Sequence, residues 1–348
     1  MRLPSLSLIA LSLLSASSYA VENGTPVDWS QRDDTVRLDN STNKSLYCTA
    51  TLISGHYAIT AGHCVDDGGL DIMTLSNSEN LPLSAQWISP EYTDNYGRRA
   101  KDVGIVRIDS PVDYRHIQFL NIDEQNEGEP MVIRGFGGTV DSLNQADFTF
   151  SNYHWDKAFR VYADTVNESH TTGGDSGAAW TISHDGNEEI FAIHRGKSTN
   201  PNTMEFSADG TTIQSVQDFI TKTIDGWHYP TLADTDTDGK ATITIQSLHR
   251  DDVVDTAWGD NVTIIGGTCL DGLIKPFDKC TYDIESDGTQ GELYLTDNEV
   301  IHINKPIENT DSGDDGNNNT DNDDSGGSMG FWPLLFLGIS SLRRKYKH

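Results

Sequence analysis

Basic residues are scarce in this chain: 24 Lys and Arg stand against 53 Asp and Glu in 348 residues, for a formal charge of −29. A field of that sign repels phosphate backbones and anionic headgroups, which removes nucleic-acid binding from the candidate functions. Long apolar runs are also missing. The stretch 329–342 is about 14 residues, short of the roughly 20 that cross a bilayer. Cysteines number only four, with no CxxC, no HExxH and no paired Cys/His spacing, so no metal site is expected.

The ends read as processing segments. Residues 1–20 carry Arg2, an apolar run from Leu6 to Leu14 and small residues at Ser18 and Ala20, the layout of a signal peptide removed by signal peptidase. Val21 is then the expected mature N-terminus, with cleavage after Ala16 as the competing reading. Secretion favours disulfides. Four cysteines allow three pairings; Cys48 with Cys64 and Cys269 with Cys280 closes short loops in separate regions and is the expected set. Residues 308–328 are almost wholly Asn, Asp, Gly, Ser and Thr, too polar to pack, and read as an acidic flexible linker. Residues 329–348 add an apolar stretch and the basic cluster Arg343 to Lys347, an anchor or sorting tail.

Between these ends the length suits two folded units. Short apolar or alternating runs at Thr49–Ser54, Tyr57–Thr60, Val103–Ile108, Met131–Arg134, Phe148–Phe150, Phe159–Val161, Ala178–Ile182 and Ile190–Ile193 predict strands of an all-β sandwich or barrel. One helix is expected late, from the stripe Ile213, Val216, Phe219, Ile220 and Ile224, ending near Gly226. Strand patterns resume at Ala241–Ile245, Val262–Ile265, Leu293–Thr296 and Val300–Ile303, predicting a second, smaller β-sandwich over 231–307 for binding, spacing or surface presentation. Asp234, Asp236, Asp238 and Gly239 match the first half of a calcium loop, but Ile245 stands where the closing acid belongs. An acidic hinge is the alternative; no cofactor is expected, calcium being only weakly indicated.

Three segments bear on chemistry: Tyr57-Ala-Ile-Thr-Ala-Gly-His63-Cys64, Lys101-Asp102-Val-Gly-Ile-Val-Arg107 and Thr172-Gly-Gly-Asp-Ser176-Gly177. A serine nucleophile needs a base within reach of its hydroxyl and a third group to orient that base. The order His, Asp, Ser differs from the orders of subtilisin-type enzymes and α/β-hydrolases. With Gly135-Phe136-Gly137, the Ala192-Ile-His-Arg-Gly196 segment and the closing helix, residues 21–230 resemble a chymotrypsin-type (trypsin-like) serine endopeptidase. The triad template for that family is well defined.

That resemblance implies a double six-stranded antiparallel β-barrel with the active site between the barrels, then the C-terminal helix and a small Ig-like β-sandwich. It implies His63 as general base and acid, Asp102 as its orienting acid, Ser176 as the nucleophile forming the acyl-enzyme, and the N–H groups of Gly174 and Ser176 as the oxyanion hole. A bridge between Cys48 and Cys64 would clamp the loop bearing His63. The family's activation step implies an ion pair between a newly freed α-amino group at Val21 and Asp175, so signal-peptide removal and activation would be one event. Glu22, where the family usually has an apolar residue, is a departure. His170 stands where Lys/Arg-specific members carry Asp, so tryptic specificity is not implied. Thr171 and His194 resemble the pocket of glutamyl endopeptidases, with His170 able to assist; the alternative is that the histidines are structural hydrogen-bonding groups.

Gly326-Gly327 followed by the apolar run and basic cluster resembles the GlyGly-CTERM sorting signal of Gram-negative bacteria. It implies trimming by a rhombosortase, type II secretion, and a secreted or cell-surface location reached through the periplasm. Protein or peptide substrates follow from the protease resemblance. Two rivals remain: a GDSL-type esterase built on Gly174-Asp-Ser176 with Asp225-Gly-Trp-His228, and a non-catalytic adhesin on a protease scaffold.

Overall fold

Runs of β-branched and aromatic residues broken by Gly, Asn and Asp turns pair here into four antiparallel-dominated sheets. The structure, a computed structural model, describes residues 21–66, 69–93, 98–184, 186–199 and 205–306. The expected leader 1–20, the linker 308–328 and the tail 329–348 lie outside the described residues.

The first barrel is a seven-stranded sheet running Asn80–Pro82, Ile72–Thr74, Thr35–Asp39, Tyr47–Ile53, Tyr57–Thr60, Gly104–Arg107, Ala85–Ile88 in spatial order. No pairing among the described residues joins its two end strands, so it stays open on one side. The second barrel closes. Pro130–Gly135, Asn144–His154, Lys157–Thr165, Phe206–Thr212, Asn187–Thr199 and Ala179–His184 pair in a ring of six. Full closure leaves no unpaired edge to protect. The architecture is thus the all-β double barrel with a short helix behind it.

That helix follows the apolar stripe. A 3-10 turn over Gln214–Val216 leads into Gln217–Ile224, and the chain leaves through Asp225 in the left-handed region, whose N–H reaches the Thr221 carbonyl at 3.0 Å. Ile213, Val216, Ile220 and Ile224 are buried in the core of the first barrel with Leu52, Ile59 and Val106. The helix comes after the second barrel in sequence and packs on the first, so it straps the two together.

Residues from Trp227 onward build two four-stranded sheets, one with Trp227–His228, Lys240–Ser247, Lys279–Glu285 and Thr263–Gly266, the other with Leu232–Ala233, Glu299–Ile303, Gly291–Thr296 and Trp258–Asp260. Ile245, Tyr282, Ile284, Leu293, Ile301 and Ile303 share their core. Their attachment to the barrels is polar and buried. The Gln246 amide accepts from the Leu120 N–H at 2.8 Å and donates to the Leu120 carbonyl at 2.7 Å; Tyr114 Oη donates to the Tyr229 carbonyl at 2.5 Å. Buried polar groups satisfied on both sides fix a single docking geometry. Of the acidic run, Asp234 pairs with Arg115 at 3.0 Å, and Asp236 Oδ1 accepts the N–H groups of Asp238 and Lys240, each at 2.9 Å, closing a turn through Gly239 at φ +75°.

Candidate active site

His63 lies on the helical turn Gly62–Asp66 that follows the strand Tyr57–Thr60. Asp102 precedes the strand Gly104–Arg107, and the register sets Thr60 opposite Gly104, which lays the two loops side by side. Glycine permits the approach. A Cβ at Gly62 would stand 2.9 Å from the Tyr92 ring and 3.1 Å from Asp102 Oδ1, and one at Gly104 would stand 2.7 Å from Val65.

The result is a two-point grip. Asp102 Oδ2 faces His63 Nδ1 at 2.8 Å and Oδ1 accepts the His63 backbone N–H at 2.8 Å. Asp102 has no exposed surface. Burial by itself would raise its carboxyl, but the hydrogen bonds and ring charge of His63, with the Arg195 guanidinium beyond, outweigh it and hold the group below its ordinary value. With Nδ1 committed to Asp102, Nε2 is left as the base toward the seam between the barrels.

Ser176 arrives from the second barrel on the turn before Ala179–His184. That turn crosses onto the first barrel: the Thr49 N–H donates to the Ser176 carbonyl at 2.9 Å and Thr49 Oγ1 to the Gly174 carbonyl at 2.9 Å. Gly174 has φ +105°, and a Cβ there would collide with Tyr47 and stand 2.9 Å from the Gly137 Cα, so only glycine fits. Among the described residues, no protein acceptor takes the N–H of Gly174 or of Ser176. Two unbonded amides flanking a half-buried hydroxyl are an anion receptor in waiting. Ser176 Oγ makes no hydrogen bond to His63 among the described residues; catalytic contacts of this kind commonly tighten only with substrate bound.

Asp175, between them, is wholly buried. It accepts the Gly137 N–H at 2.7 Å and the Thr172 N–H at 2.8 Å, and Gly135 and Gly137 are glycines because a Cβ at either would collide with its carboxylate. Burial pushes it up to about 7, the two N–H donors offsetting only part. Val21 is also wholly buried, in the second-barrel core beside residues such as Ile133 and Trp180. The Cys48–Cys64 disulfide joins the strand beside this turn to the His63 loop, and Cys269–Cys280 lies in the C-terminal sheets.

The specificity residues occupy different settings. His194 is buried and held down to about 3, by desolvation first and the nearby His63 second; it is neutral, its Nδ1 accepting from Trp180 Nε1 at 3.3 Å. Thr171 is 1% exposed. His170 has both ring nitrogens engaged, Nδ1 with the Glu168 carbonyl at 3.1 Å and Nε2 with Glu22 Oε2 at 3.1 Å, and its ring stacks on Phe206 at 4.0 Å. Glu22 and His170, each unusual alone, are therefore partners. Sequence reading missed Arg195, whose side chain approaches Asp102 at 3.8 Å; the only signal was a charge inside an apolar strand. The esterase pairing does not form: His228 is wholly buried, with Nε2 2.9 Å from the Gln118 carbonyl and Nδ1 accepting the Ser54 N–H.

Two barrels with a His–Asp pair on one and a glycine-flanked serine turn on the other define the trypsin-like class. The chain belongs to the trypsin family, whose model, described as Trypsin, matches residues 22–220. A curated relative is the thrombin-like enzyme calobin-1 of Gloydius ussuriensis, 28% identical over 142 residues, 39% of this chain and 54% of that protein. The chain thus spans about half the length of the curated relative it matches. Solved structures with similarity include the secreted serine protease VesC from Vibrio cholerae, at 14% identity, TM-score 0.47, 80% of this chain and 70% of that one. The VesB protease of Vibrio cholerae stands at 16% identity, TM-score 0.47, 82% of this chain and 98% of that one.

Proposed function

We infer that this protein is a secreted serine endopeptidase acting on proteins or peptides through His63, Asp102 and Ser176. The observation that carries the reading is the two-point hold of Asp102 on His63, at 2.8 Å to Nδ1 and 2.8 Å to the backbone N–H, in a chain of the trypsin family. Ser176 Oγ attacks the peptide carbonyl as its proton passes to His63 Nε2. The developing oxyanion meets the free N–H groups of Gly174 and Ser176, and His63 returns the proton to the leaving amine. Water then repeats the sequence on the acyl-enzyme.

Activation belongs to the same reading. A fully buried Asp175 with two N–H donors and no cation in contact among the described residues is a receptor for an ammonium. Cleavage ahead of the buried Val21 would supply one. The neutral His194, its Nε2–H uncommitted to any protein acceptor among the described residues, supports a preference for an acceptor side chain in the primary pocket, with Thr171 beside it in sequence. The leader at 1–20, release through type II secretion and trimming of the 329–348 tail by a rhombosortase complete the proposal, with calcium as an optional ligand of the acidic hinge.

The test is peptide-resolved mass spectrometry after reaction with a fluorophosphonate, on the secreted protein and on Ser176→Ala. Label on Ser176 with Val21 at the N-terminus is the expected result. A folded protein that begins at Val21, takes no label and hydrolyses no peptide overturns it in favour of a binding scaffold.

A further inference from the structure

The strand Asn187–Thr199 is in register with Phe206–Thr212 except at one place. His194 faces Gly210 and Gly196 faces Asp209, so Arg195 is an extra residue with no partner across the ladder. A bulge breaks the in-out alternation and re-aims the side chain at the break. Here His194 turns into the barrel and Arg195 turns toward the His63–Asp102 pair. Its Nε is 3.8 Å from Asp102 Oδ2, its Nη1 is 3.8 Å from Asp209 Oδ2, and its Nη2 donates to the Arg99 carbonyl at 3.1 Å. The side chain is 13% exposed, so its charge is only partly screened.

We propose that Arg195 is a positioning residue whose guanidinium, aimed by the bulge and shared between Asp102 and Asp209, sets the pH at which His63 becomes a base. The inference rests on the reading of His63 as the general base and Asp102 as its orienting acid. Asp102 stabilises a positive ring on His63; a cation on the far side of Asp102 opposes it. His63 therefore gives up its proton at lower pH than it would beside Asp102 alone, and activity extends toward acid. Asp209 moderates the effect by drawing the guanidinium the other way, and Arg160 in turn binds Asp209 at 3.0 and 3.1 Å while lying over the Tyr162 ring. The remaining charges that face this place are accounted for. Lys101 pairs with Glu91 at 2.7 Å, Lys197 lies over Phe206, His194 is neutral, and Arg98 and Arg99 have partners of their own.

The experiment compares the processed secreted protein with Arg195→Gln, Arg195→Lys and Asp209→Asn. Two readouts are followed: kcat/KM against pH, and the His63 ring titration by NMR in a Ser176→Ala background. With Arg195→Gln the acid limb and the ring titration both move up by about half to one pH unit. With Asp209→Asn both move down, because more of the guanidinium charge falls on Asp102. Arg195→Lys, keeping the charge, stays within about 0.3 of the parent. Unmoved titrations in Arg195→Gln overturn the proposal, as do shifts of the same sign in Arg195→Gln and Asp209→Asn, which mark a packing role. If the parent hydrolyses nothing, the endopeptidase reading fails by itself, and the NMR titration still decides the coupling.

Discussion

On the first barrel's side of the seam, His63 and Asp102 are bonded to each other at two points and lie on loops pinned by a disulfide. On the second barrel's side, the serine turn carries two amides with no protein acceptor and a buried carboxylate whose only close donors are backbone N–H groups. One half is complete as folded. The other is an arrangement of unmet hydrogen-bonding and charge demands, each matching something that arrives later: a substrate oxyanion in one case, a freed α-amino group in the other. Preorganisation and readiness for a trigger are thus divided between the barrels, and substitutions on the two sides should differ in kind as well as in size.

The largest effect is expected on the complete side. Asp102→Asn leaves the packing intact but reverses the hydrogen-bond demand on His63 Nδ1, and kcat should fall by about 10^4-fold, read with a peptide substrate at neutral pH. Next comes Asp175→Asn on the responsive side. Removing one partner of a buried pair costs roughly 3–5 kcal/mol, so activity of the chain beginning at Val21 should fall by about 10^2- to 10^3-fold while His63 and Asp102 remain bonded. The same residue sharpens the comparison through pH. Asp175, pushed up to about 7, binds a proton in the folded state that the unfolded state has already released between pH ~4 and ~7. A form still extended ahead of Val21 should therefore lose stability as pH rises across that window, and a form starting at Val21 should not; thermal unfolding at pH 4 to 8 on both forms checks this.

Replacing Cys48 and Cys64 by Ser, which opens a loop with a sequence separation of 16, should cost about 3 kcal/mol in chemical denaturation and fall on the His63 side. The smallest effect is expected from Glu22→Ala. The Glu22 side chain is 57% exposed against 8% for His170, and loss of such a pair should lower stability by under about 1 kcal/mol. A drop as large as that of the disulfide variant would place the N-terminal segment among the main supports of the serine turn.

Much of the first-barrel half was legible because its signals are local. Tyr57–Thr60 and the Asp102-Val-Gly segment announce strand edges by composition, and the helical stripe ending at Ile224 is a periodic pattern. The strand Phe206–Thr212 went unread because its sequence, Phe-Ser-Ala-Asp-Gly-Thr-Thr, is polar; it forms because neighbours on both sides supply a ladder, a tertiary effect that propensity does not contain. The Lys279–Glu285 strand, Lys-Cys-Thr-Tyr-Asp-Ile-Glu, alternates cleanly but was masked by its disulfide cysteine. Arg195 was invisible for a different reason: a bulge is a property of register between two strands, and neither strand alone encodes it. Glu22 and His170 were each flagged as departures, yet their pairing spans 148 positions and needed the fold to show it.

The grip of Gln246 on Leu120 has a kinetic side. Leu120 lies in the connector between the barrels, in the short strand Phe119–Leu120 that runs parallel to Glu189 and Ile190, and Gln246 is 126 residues further on. The sheet that follows is completed only by Glu299–Ile303, against which Leu232–Ala233 lies in parallel. A chain emerging N-terminus first can form local hairpins early, but the contacts that hold its connector wait for the last strand. Folding governed by contacts of such separation is slow, and a catalytic seam that assembles late keeps its nucleophile and base apart until nearly all of the described chain is present.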